Sequence, residues 1–195
     1  PPPDPTHVGR GDLVPDPAFD RQHIGSKFVG GTPGASNDVK GAILQASSIT
    51  LPVPSLNAAS RAAFINATAD PDNIVRGNPL VWGYGERIYP SLALEAIMRY
   101  RGDPKCMVEY DEQGITGIKI KQLAIPTDRD GRIMVNYRDI NENAASGFAS
   151  SFPSYSAGIF LATNRTKPDL KGKIVFVGTS AVGLKDIKAS PLTQY

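Results

Sequence analysis

One turn of the chain carries three charged side chains at short spacing. The segment Asp70-Pro-Asp-Asn-Ile-Val-Arg76 places two carboxylates and an arginine around a turn. An arginine that leaves a strand beside such a turn could bind an anionic ligand through a two-pronged contact of its guanidinium. The same residues also fit a solvated turn in which Arg76 pairs locally with the carboxylates. Both readings remain open from the sequence.

A second group of polar side chains follows the apolar run Ile174 to Val177. That run is rich in β-branched residues and lies between glycines, which predicts a strand buried on both faces. Thr179 and Ser180 come directly after it, and ligands of open α/β sheets bind outside the carboxyl ends of such strands. The alternative is a tight strand exit whose hydroxyls satisfy backbone groups.

We therefore predict a ligand site at the mouth of this last strand. Six residues make up the predicted site: Thr179, Ser180, Asp186, Arg76, Tyr89 and Tyr137. Asp186 could instead cap the following segment. The two tyrosines also fit ordinary core or interface positions.

Catalysis has little support in the residues. A serine hydrolase using Ser180 would need glycine at position 182, where this chain has Val182. The only histidines, His7 and His23, lie in the N-terminal part, so no general base is evident. A phosphate-binding loop fails because Leu184 stands where lysine is required.

Metal and cofactor sites also lack their ligands. One cysteine, Cys106, and two distant histidines do not make a zinc site. The segment Asp128-Arg-Asp-Gly131 has only a superficial likeness to a calcium loop and is interpreted as a turn. We predict no metal and no cofactor.

Composition indicates one ordinary globular domain. The 195 residues are 41% hydrophobic and 21% charged with a formal net charge of +2, and no basic stripe points to nucleic acid. No apolar run approaches the ~20 residues that span a bilayer. The chain opens on Pro1-Pro2-Pro3 without a leader, and we expect it to be cut from a longer protein or trimmed by processing. Residues 1–15 are predicted to be a flexible segment and residues 16–195 a single domain.

Strand patterns alternate with helix patterns along the chain. The clearest helix begins after Ser91 as N-cap and ends at Gly102, with Leu92, Ala96, Ile97 and Tyr100 on its apolar face. A turn at Asp130-Gly131 predicts an antiparallel hairpin within residues 117–137. The fold class is therefore a mixed α/β domain with a largely parallel sheet flanked by helices. Further predicted elements are strands at 42–46, 62–67, 74–84, 107–110, 118–123 and 133–137, and helices at 18–24, 55–61 and 154–161.

Several segments together resemble the second type of CHASE domain, the sensory extracellular module associated with cyclases and histidine kinases in bacterial receptors. The resemblance covers roughly residues 55–192 and lies in the order and spacing of its motifs. Two positions depart from the family pattern: Asn73 replaces a usual glycine, and Gly77 stands where a second arginine is common. The motifs are Asp70–Arg76 with Pro79-Leu-Val81, Arg87–Ala96, Gly131–Arg138, Phe152–Ser156, and Lys171–Asp186 with Pro191-Leu192.

The resemblance implies a place outside the inner membrane, tethered by transmembrane helices, with a cytoplasmic cyclase, diguanylate cyclase or kinase as output. It also implies an additional N-terminal α/β portion, so this chain is expected to be an incomplete domain with an unpaired sheet edge, which favours a homodimer. The expected function is sensing of an unidentified small molecule or envelope component, without enzymatic activity. The alternatives are a small α/β hydrolase and a ligand-free dimerisation or scaffold module.

Overall fold

The computed structural model describes residues 41, 43–50, 63–85, 87–103, 105–138, 152–178 and 189–192. These residues fall into two compact units. Unit 1 takes in Gly77–Ile133 with the described residues up to Thr68, and unit 2 takes in Ala69–Arg76 with those from Met134 onward. The predicted flexible segment 1–15 and the predicted helices at 18–24 and 55–61 lie outside the described residues.

Seven strands and two helices are named among the described residues. In chain order they are β1 (Gly77–Pro79), β2 (Val81–Tyr84), β3 (Arg87–Pro90), α1 (Leu92–Tyr100), β4 (Met107–Asp111), β5 (Gly114–Ile120), β6 (Leu123–Pro126), β7 (Arg132–Met134) and α2 (Gly158–Leu161).

The strands of unit 1 form short sheets built on hairpins. β4, β5 and β6 make an antiparallel three-stranded sheet with β5 in the centre, and a register shift lies between Glu109 and Tyr110. β2 and β3 form a separate antiparallel hairpin in which Trp82 faces Tyr89, and β1 pairs with β7. β5 is central because it pairs with β4 on one side and with β6 on the other, and its Ile118 and Ile120 are fully buried.

The hydrophobic core lies in unit 1, where buried residues of this sheet, of β2 and of α1 form one cluster. Burial of apolar surface is its main stabilising term, at roughly 25 cal/mol per Å². Its buried residues are Ile43, Leu80, Val81, Leu94, Met98, Cys106, Val108, Ile115, Ile118 and Ile120.

The predicted start of α1 after Ser91 and its predicted end at Gly102 are confirmed. The Ser91 hydroxyl accepts a hydrogen bond from the Leu94 amide at 3.2 Å, and Gly102 adopts a left-handed φ of 63° where the helix stops.

The predicted apolar face of α1 is confirmed at Ile97, which packs half-buried against the core, and is wrong at its two ends. Leu92 and Tyr100 are exposed, whereas Leu94 and Met98 are buried. Leu94 and Met98 join the buried cluster that also contains residues of β4 and β5, and the helix pattern does not show these partners.

The predicted hairpin at Asp130-Gly131 is also corrected. The turn exists: the Asp128 carboxylate accepts hydrogen bonds from the Asp130 and Arg132 amides, and Gly131 has a φ of 73°. However, β6 before the turn pairs with β5, and β7 after it pairs with β1. The turn therefore joins two different sheets, and the antiparallel hairpins of this region are β4–β5 and β5–β6.

The buried strand predicted at Ile174 to Val177 is wrong for the structure described. No strand is assigned there, and the exposed fraction rises from 41% at Ile174 to 88% at Val177. The run has the composition of a strand, but no described segment pairs with it.

The fold class is confirmed in its coarse form only. The described chain is mixed and rich in strands, with few helices. A largely parallel sheet flanked by helices is not confirmed, since the strand pairs of known register are antiparallel. Parallel pairing among the described residues consists of single bridges at Gln45–Gly83, Phe64–Ser91 and Ile74–Ala189. The predicted strands at 42–46 and 62–67 are reduced to two of these bridges, and the helix predicted at 154–161 shortens to α2.

Candidate functional site

The turn at residues 70–73 holds the first part of the candidate site, in unit 2. The Asn73 amide donates to the Asp70 carbonyl at 2.8 Å, and the Asp70 amide donates to the Ile74 carbonyl at 2.9 Å. Asn73 has a φ of 64°, in the left-handed region that glycine and asparagine tolerate best. The turn therefore explains why asparagine can stand where the family pattern has glycine.

Arg76 is held by both carboxylates of this turn. Its guanidinium binds the Asp72 carboxylate through two hydrogen bonds of 2.9 and 2.7 Å and the Asp70 carboxylate through a third of 3.1 Å. This arrangement lowers the pKa of Asp72, chiefly through its hydrogen bond to Arg76, and raises the pKa of Arg76 further above its ordinary value. We call Asp70, Asp72 and Arg76 the Arg76 cluster. In this structure the local pairing is the arrangement observed.

The backbone beside the Arg76 cluster connects three distant parts of unit 2. The Val75 amide donates to the Ala189 carbonyl at 2.9 Å, and the Tyr137 hydroxyl donates to the Val75 carbonyl at 2.6 Å. The Val135 amide donates to the Arg76 carbonyl at 2.8 Å. Burial raises the pKa of the half-buried Tyr137. Residues 74–76 therefore lie between the segment that carries Tyr137 and the segment that carries Ala189.

Of the other predicted site residues, one lies in unit 1 and three lie outside the described residues. Tyr89 belongs to unit 1, where it is 6% exposed in β3 opposite Trp82, whose ring stacks on Phe64 at a centroid distance of 5.1 Å. Thr179, Ser180 and Asp186 lie outside the described residues. The structure thus brings Arg76 and Tyr137 together, and it describes the chain again at Ala189, three residues after Asp186.

Val75 and Ala189 are the members of this arrangement that sequence reasoning missed. They take part through backbone groups, so their side chains carry no signal for it. The apolar pair Ile74-Val75 is the one signal in the sequence, because such a pair is typical of a strand whose backbone bonds to a neighbouring segment. The pairing partner, more than 100 residues later, could not be read from a local pattern.

The described residues offer neither a metal-binding cluster nor a membrane-spanning helix. Among them, no group of three or more histidine, cysteine, aspartate or glutamate side chains is placed to hold a metal ion. Cys106 is a buried core residue. Across the ranges that the structure describes, no helix combines the length and apolar character needed to cross a membrane.

Comparison with known proteins identifies the family. The CHASE2 domain model matches residues 10–195, nearly the whole chain, so the chain belongs to the CHASE2 family. CHASE2 domains are extracellular sensory modules, so membership supports a sensory role and not a catalytic one. No curated protein and no solved structure matches the chain.

Proposed function

We propose that this chain is the extracytoplasmic sensory domain of a bacterial transmembrane receptor, on the periplasmic or extracellular side of the inner membrane. Its output would be a cytoplasmic cyclase, diguanylate cyclase or kinase, and the receptor would act as a homodimer. The observation that carries the proposal is CHASE2 membership over residues 10–195.

The proposed ligand site centres on the Arg76 cluster and Tyr137. We include Thr179, Ser180 and Asp186 in the proposed site for the chemistry of their side chains. The described residue that follows them, Ala189, bonds to Val75 beside Arg76. Tyr89 is retained as a separate candidate in unit 1. A planar, two-pronged guanidinium suits a carboxylate or phosphate group, so the proposed stimulus is a small anionic molecule or an anionic envelope component.

The hydrogen bonds of residues 74–76 support a route for the signal. A ligand that draws Arg76 away from Asp72 moves the backbone to which Tyr137 and Ala189 are bonded. A sensory domain needs two arrangements that its stimulus binds unequally, since equal affinity shifts no equilibrium. The ion pairs of Arg76 provide one such arrangement, and the ligand-bound guanidinium provides the other.

A thermal-shift screen of the whole chain tests the proposal. Anions, amino acids and nucleotides are added singly, because binding to the folded state raises the melting temperature by mass action. An active compound is then tested on Arg76→Met and on the control Arg165→Met, an exposed arginine of the same unit. The proposal expects the shift to vanish in Arg76→Met and to persist in Arg165→Met. Equal shifts in both variants would remove Arg76 from the site.

A further inference from the structure

One apolar segment of unit 2, from Ile174 to Val177, pairs with no other segment among the residues that the structure describes. The exposed fractions from Ile174 through Val177 are 41%, 50%, 64% and 88%, although all four side chains are large and apolar. Their backbone N–H and C=O groups have no hydrogen-bond partner in the part of the chain that the structure describes. Exposed backbone groups combined with exposed β-branched and aromatic side chains are what an added strand requires.

Three of the strands at the edges of the named sheets carry a feature that discourages such addition. β1, β3 and β6 end on Pro79, Pro90 and Pro126 respectively, and proline lacks the N–H that a further strand would need. The run Lys173 to Gly178 contains no proline and no charge beyond its first residue. The run therefore lacks the proline that blocks strand addition at the ends of β1, β3 and β6.

We propose that Lys173–Gly178 pairs with the same segment of a second copy of this chain, as two antiparallel strands related by a two-fold axis through Val175. This inference rests on the proposed homodimer and names the edge that forms it. In this register Val175 faces its own mate, Ile174 faces Phe176, and Lys173 faces Val177.

The residue types favour a second copy as the occupant because the segment is complementary to itself. Ile174 and Phe176 lie on one face, and aromatic side chains opposite β-branched ones are favourable cross-strand pairs. The antiparallel register keeps the two copies of Lys173 at opposite ends, whereas a parallel register would set them side by side with like charges. A two-fold interface of this kind closes on itself as a dimer.

Introduced cysteines test the register directly. In the proposed pairing the Cα atoms of the two copies of residue 175 lie about 4.5–5.5 Å apart, within the span of a disulfide. The two copies of residue 177 lie four residues apart along the strands, more than about 13 Å. Val175→Cys is therefore expected to form a covalent dimer under mild oxidation, and Val177→Cys is not, although Val177 is the more exposed residue. The native Cys106 is 1% exposed and does not compete.

Sedimentation of the wild-type chain separates failure of this inference from failure of the proposed homodimer. A concentration-dependent dimer is expected, and Val175→Lys is expected to raise its Kd about tenfold or more, because the substitution places two lysines opposite each other. The matched control is Leu161→Lys, which changes an 85% exposed apolar residue of the same unit and should leave the Kd unchanged. A monomer at every concentration would overturn the homodimer itself. A dimer that is indifferent to Val175→Lys, or that crosslinks equally through residues 175 and 177, would overturn only the assigned edge.

Discussion

Replacing Tyr137 by phenylalanine removes one hydroxyl from the backbone junction beside the Arg76 cluster. The lost contact is the 2.6 Å hydrogen bond to the Val75 carbonyl, and Val75 is only 7% exposed. A hydrogen bond of this kind contributes about 0.5–1.5 kcal/mol, and a buried carbonyl left without its donor costs about 1–3 kcal/mol. We expect a loss of about 1–2 kcal/mol, which corresponds to a roughly 5–30-fold fall in the protection of this junction.

Hydrogen exchange of the Val75 amide is the assay. This amide donates to the Ala189 carbonyl, so its protection reports whether the Ala189 segment stays paired. The matched control is Tyr155→Phe, which changes a 51% exposed tyrosine of the same unit. Faster exchange at Val75 in Tyr137→Phe, with little change in Tyr155→Phe, is the expected result. Equal protection of Val75 in the two variants and the wild type would refute the coupling of Tyr137 to the Ala189 segment.

The pH dependence of stability tests the burial of the Tyr137 hydroxyl independently. Burial raises the pKa of Tyr137 in the folded chain, so the neutral form is favoured by folding. Its contribution is complete below the ordinary tyrosine pKa of about 10 and is lost as the pH rises through the raised value. Wild type should therefore lose stability on the alkaline side more steeply than Tyr137→Phe.

Two other predictions concern the scaffold. Leu94→Ala should lower the free energy of unfolding, measured in urea, by about 2–5 kcal/mol because Leu94 is a buried core residue. Leu92→Ala should change it by no more than about 0.5 kcal/mol. The reverse order would support the apolar face predicted from the sequence. Asn73→Ala should destabilise the fold by about 1–2 kcal/mol because a φ of 64° is unfavourable for alanine. Asn73→Gly should remain near the wild-type stability. Equal melting temperatures of the two variants would contradict the strained turn.

Short-range features were predictable because the residues that form them are neighbours in sequence. The Ser91 cap, the Gly102 stop and the turn at Asp70–Asn73 each depend on contacts within a few residues, and each is confirmed. Strands at 107–110 and from 118 onward were also predicted from local patterns, but the hairpin that joins β4 to β5 was not.

Features that depend on distant partners were not predictable in the same way. The apolar run from Ile174 predicts a strand but does not identify the segment that would pair with it. The buried face of α1 depends on the cluster that it joins, and Leu94 rather than Leu92 lies on that face. At the candidate site, Arg76 and Tyr137 could be nominated from their chemistry, but the Ala189 carbonyl that joins them to the end of the described chain could not.

The Arg76 cluster leads to a prediction in which neighbouring substitutions have opposite effects. Two carboxylates hold one guanidinium, so an anionic ligand must compete with Asp72 and Asp70 for the same donors. The apparent affinity of a ligand falls with the fraction of molecules in which its site is free. Asp72→Asn weakens the closed arrangement and should therefore tighten binding of any anion found in the thermal-shift screen, whereas Arg76→Met should abolish it.

Calorimetric titration of that anion into both variants is the measurement. The control is Asp169→Asn, which changes an exposed aspartate of the same unit whose carboxylate also accepts a backbone amide two residues later. If Arg76 served only to hold the turn together, Asp72→Asn and Arg76→Met would break the same ion pair and alter binding in the same direction. Parallel losses of affinity in the two variants would therefore assign the cluster to the stability of the turn, and opposite changes would assign Arg76 to the ligand.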